Sequence, residues 1–521
     1  VQHPWDRRLG VWWIAEDHPD LPAIVHSPSG RTPTFGELAA AAHRLAHGLR
    51  ARGIGAGDIV AYVLPNDVDA VLWPLATSEI GVRYLSLNPS LSEPEFHSIL
   101  RHSGAKVVVT HPDYADRLGD LDTLGTVVLR ITVGQATPGF ETQDELCAGQ
   151  PADEPAERSL GGPIRYSSGT TGKPKGIVRA VPKTEPSVAA DAMSSFGRAF
   201  GFLPLEGVHL VSTGMHHGGC QGFYLGALNV GQALAITGRF DAERTLALID
   251  RYSVTTAYMV PTQFVRMLRL PEEVRARYRL DSLSSVVHSA APCPVQVKKE
   301  MFDWWGPVLW ETYGGMEGAA TIAKPHRWLE KPGTVGRAIR GMSVRILDDE
   351  GHDLPAGEIG HVYLEPAGGP GFEYRGDPEL TRSVRRGAAF TIGDIGYLDD
   401  DGYLFICDRA KDMIISGGVN IYPAEIEGVL SAHPAVGDVA VFGVPDPEWG
   451  EQVKAVVEPV EGFPPSHELG SELIAYSRER LAGYKCPRTI EFADALPRTE
   501  TGKLLKRVIR DKYWADSGRN V

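Results

Sequence analysis

Between residues 34 and 288 short β-branched or apolar runs alternate with helical stretches, and this alternation narrows the available folds more than any other feature of the chain. A helical pattern over 37–52 passes through a Gly-rich turn into an apolar strand over 59–64. Strand-like runs follow at 106–110, 208–212, 233–237, 254–260 and 285–288, with helical segments such as 242–252 between them. Strands spaced by helices imply a largely parallel, helix-covered sheet. Past Val335 the texture changes to short strands and turns, with a Pro/Gly stretch at 366–371, as expected of a β-rich subdomain. A second change near 408–411 opens a run of helix, strand, strand, helix and strand within the last hundred or so residues. The expectation is an α/β chain. Its large N-terminal domain, 1–408, carries helix-covered sheets and a β-rich subdomain at about 335–408; a small α+β C-terminal domain spans 409–521.

Composition restricts what such a fold can do. A chain of 521 residues exceeds one core, and 43% hydrophobic with 23% charged residues is ordinary for a globular protein. The net charge of −14 repels polyanions, and no dense Lys/Arg run reverses it, which argues against a nucleic-acid partner. Five scattered cysteines form no C-x-x-C pair, a usage that suits a reducing, cytoplasmic setting. No apolar run approaches the roughly 18 residues that cross a bilayer, and residues 1–10 are charged rather than signal-like. Peripheral membrane contact and oligomeric state are left open. Two local signals read as structure: the Gly-x-Gly-x-Gly at 53–57 follows a helix and precedes a strand, the reverse of a dinucleotide fingerprint, and His216-His217 has no further metal ligand at suitable spacing.

The chemistry concentrates in Tyr166-Ser167-Ser168-Gly169-Thr170-Thr171-Gly172-Lys173-Pro174-Lys175-Gly176. Glycines let backbone N–H groups turn toward phosphate oxygens, hydroxyls add donors, and the two lysines supply charge. Pro174 after Lys173 breaks the Walker A pattern, so an ordinary P-loop ATPase is disfavoured. The segment closely resembles the signature loop of the adenylate-forming superfamily, which contains acyl-CoA synthetases, aryl-CoA ligases, adenylation domains of nonribosomal peptide synthetases and beetle luciferases. Further motifs recur in that family's order up to Lys503, so the resemblance covers nearly the whole chain.

The resemblance implies roles residue by residue. Ser289-Ala290-Ala291-Pro292 is similar to the adenine-binding turn. Tyr313-Gly314-Gly315-Met316-Glu317 resembles the motif whose aromatic ring stacks on adenine and whose glutamate helps hold Mg²⁺, a hard cation that needs a carboxylate beside the phosphates. Met316 departs from it, because a Thr or Ser hydroxyl usually reaches the α-phosphate there and a thioether cannot donate. Either a neighbouring hydroxyl such as Thr170 or Thr171 supplies the donor, or adenylation is weaker. Asp394, ending Phe390-Thr391-Ile392-Gly393-Asp394, matches the ribose-binding carboxylate. In the run 408–423, where Asp408 stands for the more usual Gly, Arg409 is expected on ribose or phosphate and Lys411 at the hinge; Gly417 and Gly418 line the thiol tunnel. Lys503, closing Pro497-Arg498-Thr499-Glu500-Thr501-Gly502-Lys503, is the lysine that approaches the reacting carboxylate and α-phosphate.

The resulting expectation is an ATP-dependent acyl-CoA synthetase that uses Mg²⁺ and coenzyme A. It converts a carboxylic acid into acyl-AMP and then into the thioester, with Lys503, Glu317 and Lys411 central. By resemblance His216 and Gly219 wall the acyl pocket. Gly214, Gly218, Gly315, Gly318 and Ala319 leave room there, favouring medium, long or bulky ring-bearing acids over acetate. The alternatives are an aryl-CoA ligase, a ligase loading a carrier-protein thiol in trans (no phosphopantetheine-attachment motif occurs in the chain), a luciferase-like oxidative step, and a non-catalytic binder, against which Lys503 argues.

Overall fold

The computed structural model describes residues 8–167, 175–499 and 504–514. It is a mixed α/β structure with a large N-terminal domain and a smaller C-terminal one. Its first sheet is built by simple alternation. Along the strand Ile59–Val63, Ile59, Ala61 and Val63 join the apolar cluster that holds Phe96, Ile99 and Leu100 of the helix Glu93–Ser103. Val60 and Tyr62 face the opposite cluster, with Leu38, Leu45 and Leu49 of the helix Phe35–Ala51. A strand covered on both faces reads as continuously apolar, as this one does. The helix Phe35–Ala51 starts where Thr34 accepts from the N–H of Glu37 while the Glu37 carboxylate accepts from the N–H of Thr34, a reciprocal cap. It stops at Gly53, whose φ of +77° is the left-handed turn that glycine makes readily.

The strand order of this sheet is Phe372–Tyr374, Lys175–Arg179, Gly162–Ser167, Arg83–Ser86, Ile59–Val63, Val107–Thr110, Leu129–Thr132 and Glu141–Thr142. It is parallel from Gly162–Ser167 onward and antiparallel at the hairpin Gly162–Ser167/Lys175–Arg179. A second sheet runs Ile24–His26, Ala233–Ile236, Val208–Val211, Thr256–Met259, Ser285–His288, Leu309–Gly315, Gly318–Ala323 and Arg337–Ala338, parallel until the turn between Gly315 and Gly318 reverses it. Helices Phe35–Ala51, Val68–Glu79 and Gly218–Val230 lie in one apolar cluster that joins the two sheets.

A third sheet, antiparallel throughout, contains Met342–Leu347, Gly360–Pro366, Ala389–Phe390, Asp394–Leu398 and Leu404–Arg409. Its core residues Val362, Leu364, Phe390 and Leu404 close on Ile177 and Ala320 from the other two sheets. Three sheets therefore meet at the hairpin Gly162–Ser167/Lys175–Arg179 and the strand Gly318–Ala323.

The C-terminal sheet is dominated by the long hairpin Val436–Asp446/Gly450–Pro459, with one apolar cluster on each face. The structure adds two elements to the sequence expectation here: a short hairpin Ile414–Ser416/Val419–Ile421 at the start and the helix Lys506–Trp514 at the end. The first is too short to show a period, and the second is strongly charged, with few apolar residues to mark a face.

Candidate active site

Of the sequence-predicted residues, Ser168, Gly169, Thr170, Thr171, Gly172, Lys173 and Lys503 lie outside the described residues. The base of the phosphate loop is described: Ser167 pairs with Lys175 and Tyr166 with Gly176 across the antiparallel hairpin. The Lys175 ammonium stands 5.9 Å from the centroid of the Tyr374 ring.

Tyr374 ties this base to the expected metal carboxylate. Its hydroxyl donates to Glu317 Oε1 at 2.8 Å, and burial, followed by the Glu317 charge, pushes the phenol well above its ordinary pKa. The Glu317 carbonyl accepts from Arg179 Nη1 at 2.7 Å. Glu317 is thus fixed from the neighbouring sheet through both its side chain and its backbone.

A second group assembles Tyr313, Asp394 and Arg409. The Tyr313 hydroxyl donates to Asp394 Oδ2 at 2.6 Å, and Arg409 Nε meets Asp394 Oδ1 at 2.8 Å. Arg409 Nη1 also donates to the carbonyl of Ile392 at 2.8 Å. Asp394 is 4% exposed, so its charge is held by these groups rather than by water. Burial and then the Asp394 charge raise the Tyr313 pKa, keeping the phenol protonated as a donor. Gly314, at φ +158°, leads into the turn behind this ring.

The turn Ser289 to Pro292 leaves the strand Ser285–His288 with Ala290 at φ +73°, a left-handed conformation that L-residues adopt at a cost. Ser289 Oγ is 2.8 Å from the hydroxyl of Tyr258, whose ring stacks on Phe223 at 4.8 Å between centroids. Tyr258 also explains Gly219: a Cβ there would stand 2.5 Å from its hydroxyl oxygen. Burial pushes the Tyr258 phenol up to about 12. His216 is half-buried, and desolvation of its ring lowers its pKa to about 4, which keeps it neutral. Its ring lies 4.0 Å from that of His217. Met316 packs with Tyr313 and Ile392 against the core of the third sheet, so its thioether fills an apolar niche.

Gly417 and Gly418 are not brought to this group. They form the exposed tip of the hairpin Ile414–Ser416/Val419–Ile421, with φ of +59° and +80°. A Cβ at Gly417 would meet the Trp449 ring at 2.6 Å, so glycine is required there by close packing. Lys411 lies just after the strand Leu404–Arg409, and its carbonyl accepts from Arg510 Nη1 at 3.4 Å. Among the described residues no cluster of three or more metal-ligating side chains occurs. A single carboxylate, Glu317, suits a Mg²⁺ that arrives on nucleotide phosphates and keeps water ligands, rather than one caged by protein. No helix among the described residues is long and apolar enough to cross a membrane.

Tyr258, Tyr374 and Arg179 were not singled out from the sequence. The one available signal was that Arg179 and Tyr374 are polar residues ending or filling short strands; their partners lie 138 and 57 positions away.

Residues 11–370 match the family of AMP-binding enzymes, and residues 425–503 match the AMP-binding enzyme C-terminal domain. The chain is 34% identical to a feruloyl-CoA synthase of Amycolatopsis sp, covering 97% of this chain and 99% of that one. It is 30% identical to the fatty acid–[acyl-carrier-protein] ligase ScoC of Streptomyces coeruleorubidus, covering 97% and 96%. Among solved structures, the anthranilate CoA ligase AuaEII in complex with anthranoyl-AMP superposes with a TM-score of 0.86 at 25% identity, covering 99% and 100%. The match along nearly the full length places this chain in the AMP-binding enzyme family, in the acyl-CoA synthetase branch of the adenylate-forming superfamily, as an AMP-forming acid–thiol ligase.

Proposed function

We propose that the protein activates a medium-chain, long-chain or bulky ring-bearing carboxylic acid with Mg-ATP and transfers the acyl group to coenzyme A. The observation that carries this reading is the bonded set Tyr313–Asp394–Arg409, which presents an aromatic face, a buried carboxylate and a cation within one small volume. Tyr313 offers its ring to adenine, Asp394 its carboxylate to the ribose hydroxyls, and Arg409 its charge to ribose or phosphate. Ser289 to Pro292 supply a small-residue edge for the base. Bound Mg²⁺, held by Glu317 and the nucleotide, supplies neutralising charge on the phosphates.

In the first step a carboxylate oxygen bonds to the α-phosphorus and the bond to the β-phosphate bridging oxygen breaks, releasing pyrophosphate. Lys503, with Lys173 and Lys175 of the loop, offsets the charge of that transition state. In the second step the thiol loses its proton, its sulfur bonds to the acyl carbonyl carbon, and AMP leaves. The two steps are served by rotation of a domain 409–521 about Lys411 against a domain 1–408. Two contacts support an arrangement suited to the first step: Arg269 donates to the Gly437 carbonyl across the domains, and Asp438 beside it binds Arg498 at 2.6 Å, five positions before Lys503 in the sequence. The Gly417 and Gly418 tip faces solvent meanwhile. The glycines at 214, 218, 219, 315 and 318 do not leave the room expected of them, because His216, Arg165, Tyr258, Glu317 and Arg179 already stand where a Cβ would be; the proposed acid class, in a protein of the cytoplasm, rests on the resemblance.

The test is product analysis over a panel of acids, with CoA or a phosphopantetheine-loaded carrier protein as acceptor. Acyl-CoA, AMP and pyrophosphate in equal amounts are expected; turnover with the carrier alone would overturn the acceptor, and a clear preference for acetate would overturn the acid class.

A further inference from the structure

A space of about 200 Å³ is lined by Arg83, Arg165, Arg179 and Met316, with no acidic residue in its lining. The pleat puts the arginines there together. Arg165 and Ile177 are paired across the hairpin, so Arg165 and Arg179 project from the same face of adjacent strands. Their hydrogen bonds go to backbone and leave the charge uncompensated: Arg179 Nη1 serves the Glu317 carbonyl, and Arg83 serves the carbonyls of Gly162, Pro163 and Arg179 at 3.0, 3.0 and 3.2 Å. Arg165 Nε is buried without a hydrogen-bond partner. The Glu317 carboxylate is engaged by Tyr374. Burial lowers the pKa of Arg179, the charge of Arg165 lowers it further, and Glu317 only partly opposes the drop.

Two glycines of the segments expected at the acyl pocket adjoin these arginines. A Cβ at Gly218 would stand 2.7 Å from Arg165 Nε, and one at Gly318 would stand 3.3 Å from Arg179 Nη1. Both adjoin residues assigned to the acyl wall, Gly219 on one side and the Gly315 turn on the other. Arg165 also sits at the N-terminus of the helix Gly218–Val230, whose dipole adds to the positive potential.

We propose that Arg165 and Arg179 form an anion subsite at the edge of the acyl pocket that binds a second carboxylate of the substrate, distal to the one activated. This rests on the acid-activating function proposed above. A guanidinium recognises a carboxylate through paired N–H donors, and an unpaired buried donor penalises the substrate that lacks one.

The experiment compares pyrophosphate release from monocarboxylic and α,ω-dicarboxylic acids of matched length, aliphatic and ring-bearing, for the wild type, Arg165→Gln, Arg165→Lys and Arg179→Gln. A parallel arm compares CoA with 3′-dephospho-CoA. The wild type should favour the dicarboxylate by about ten-fold or more in kcat/KM. The glutamine variants should collapse that ratio, chiefly through KM, and Arg165→Lys should restore part of it. If Arg165→Gln does not fold, Arg179→Gln, at the more exposed end, carries the same comparison. A ratio unchanged in the glutamine variants, or a wild type without preference, overturns the subsite while leaving acid activation intact; a change instead in the ratio of CoA to 3′-dephospho-CoA assigns the arginines to the thiol donor and overturns it too. A wild type that activates no acid sinks the underlying function.

Discussion

Position 219 has no room for a side chain because the Tyr258 hydroxyl stands 2.5 Å from where its Cβ would be, and Tyr258 cannot retreat, stacked as it is on Phe223. Gly219→Ala should therefore lower kcat/KM for the acid, and Tyr258→Phe in the same chain should recover part of the loss. A double-mutant cycle should give a coupling of about 1 kcal/mol or more. Asp394 binds a phenol and a guanidinium at once, so Asp394→Asn should raise KM for ATP and cost about 2 kcal/mol, roughly thirty-fold in kcat/KM for nucleotide. Two histidines set a pH dependence. His209 and His216 are held neutral by burial, with pKa values lowered to about 3 and about 4. Below the ordinary value of 6.5 the unfolded chain takes up protons that these folded rings refuse, so stability is full above about pH 6.5 and falls as the pH drops toward 4. Each contributes about 1.4 kcal/mol per pH unit in that window. Urea unfolding midpoints measured from pH 7.5 to 4.5 should decline, and less steeply in His209→Asn.

Between elements, one buried ion pair fixes the strand that carries Tyr313. Lys298, on the helix Val295–Trp305, is fully buried and reaches Glu311 Oε2 at 2.7 Å, with its ammonium 4.6 Å from the Trp328 ring centroid. Burial raises the Glu311 pKa and Lys298 opposes the rise. Lys298→Met takes the cation from a buried Glu311, leaving it with His288 Nε2 at 3.5 Å, and should destabilise by about 3–5 kcal/mol. Adding Glu311→Leu should recover much of that, read as thermal midpoints. None of this was visible beforehand, since a lysine and a glutamate 13 positions apart read as surface. The sheet-forming runs were legible because a strand covered on both faces must be apolar throughout, as Ile59–Val63 is. Tyr313, Glu317 and Asp394 were singled out through their motif neighbours, and the structure bonds Tyr313 to Asp394. Tyr374 and Arg179 were not, because each acts through a pairing between distant strands that carries no local pattern. Trp328, against which the Lys298 ammonium stands, is 1% exposed in the core and was equally silent in the sequence.

For the whole molecule, the proposed cycle asks one chain to hold two arrangements. Asp408 bears on this: its carboxylate accepts from Ala424 N–H at 2.7 Å, joining the strand before Lys411 to the helix Pro423–Leu430 beyond it. Proline fixes φ near −65°, so Lys411→Pro should slow thioester formation at least ten-fold while affecting acyl-AMP formation much less, as read by separate single-turnover assays of the two steps. The most direct measurement is acid-dependent exchange of labelled pyrophosphate into ATP without CoA, for the wild type and Lys503→Ala. Exchange by the wild type that falls at least a hundred-fold in the variant, with thioester formation from supplied acyl-AMP retained, is the expected result. Exchange of equal rate in both proteins, or none in the wild type with any acid, would contradict the claim that the loop at 167–175 and Lys503 act on one nucleotide.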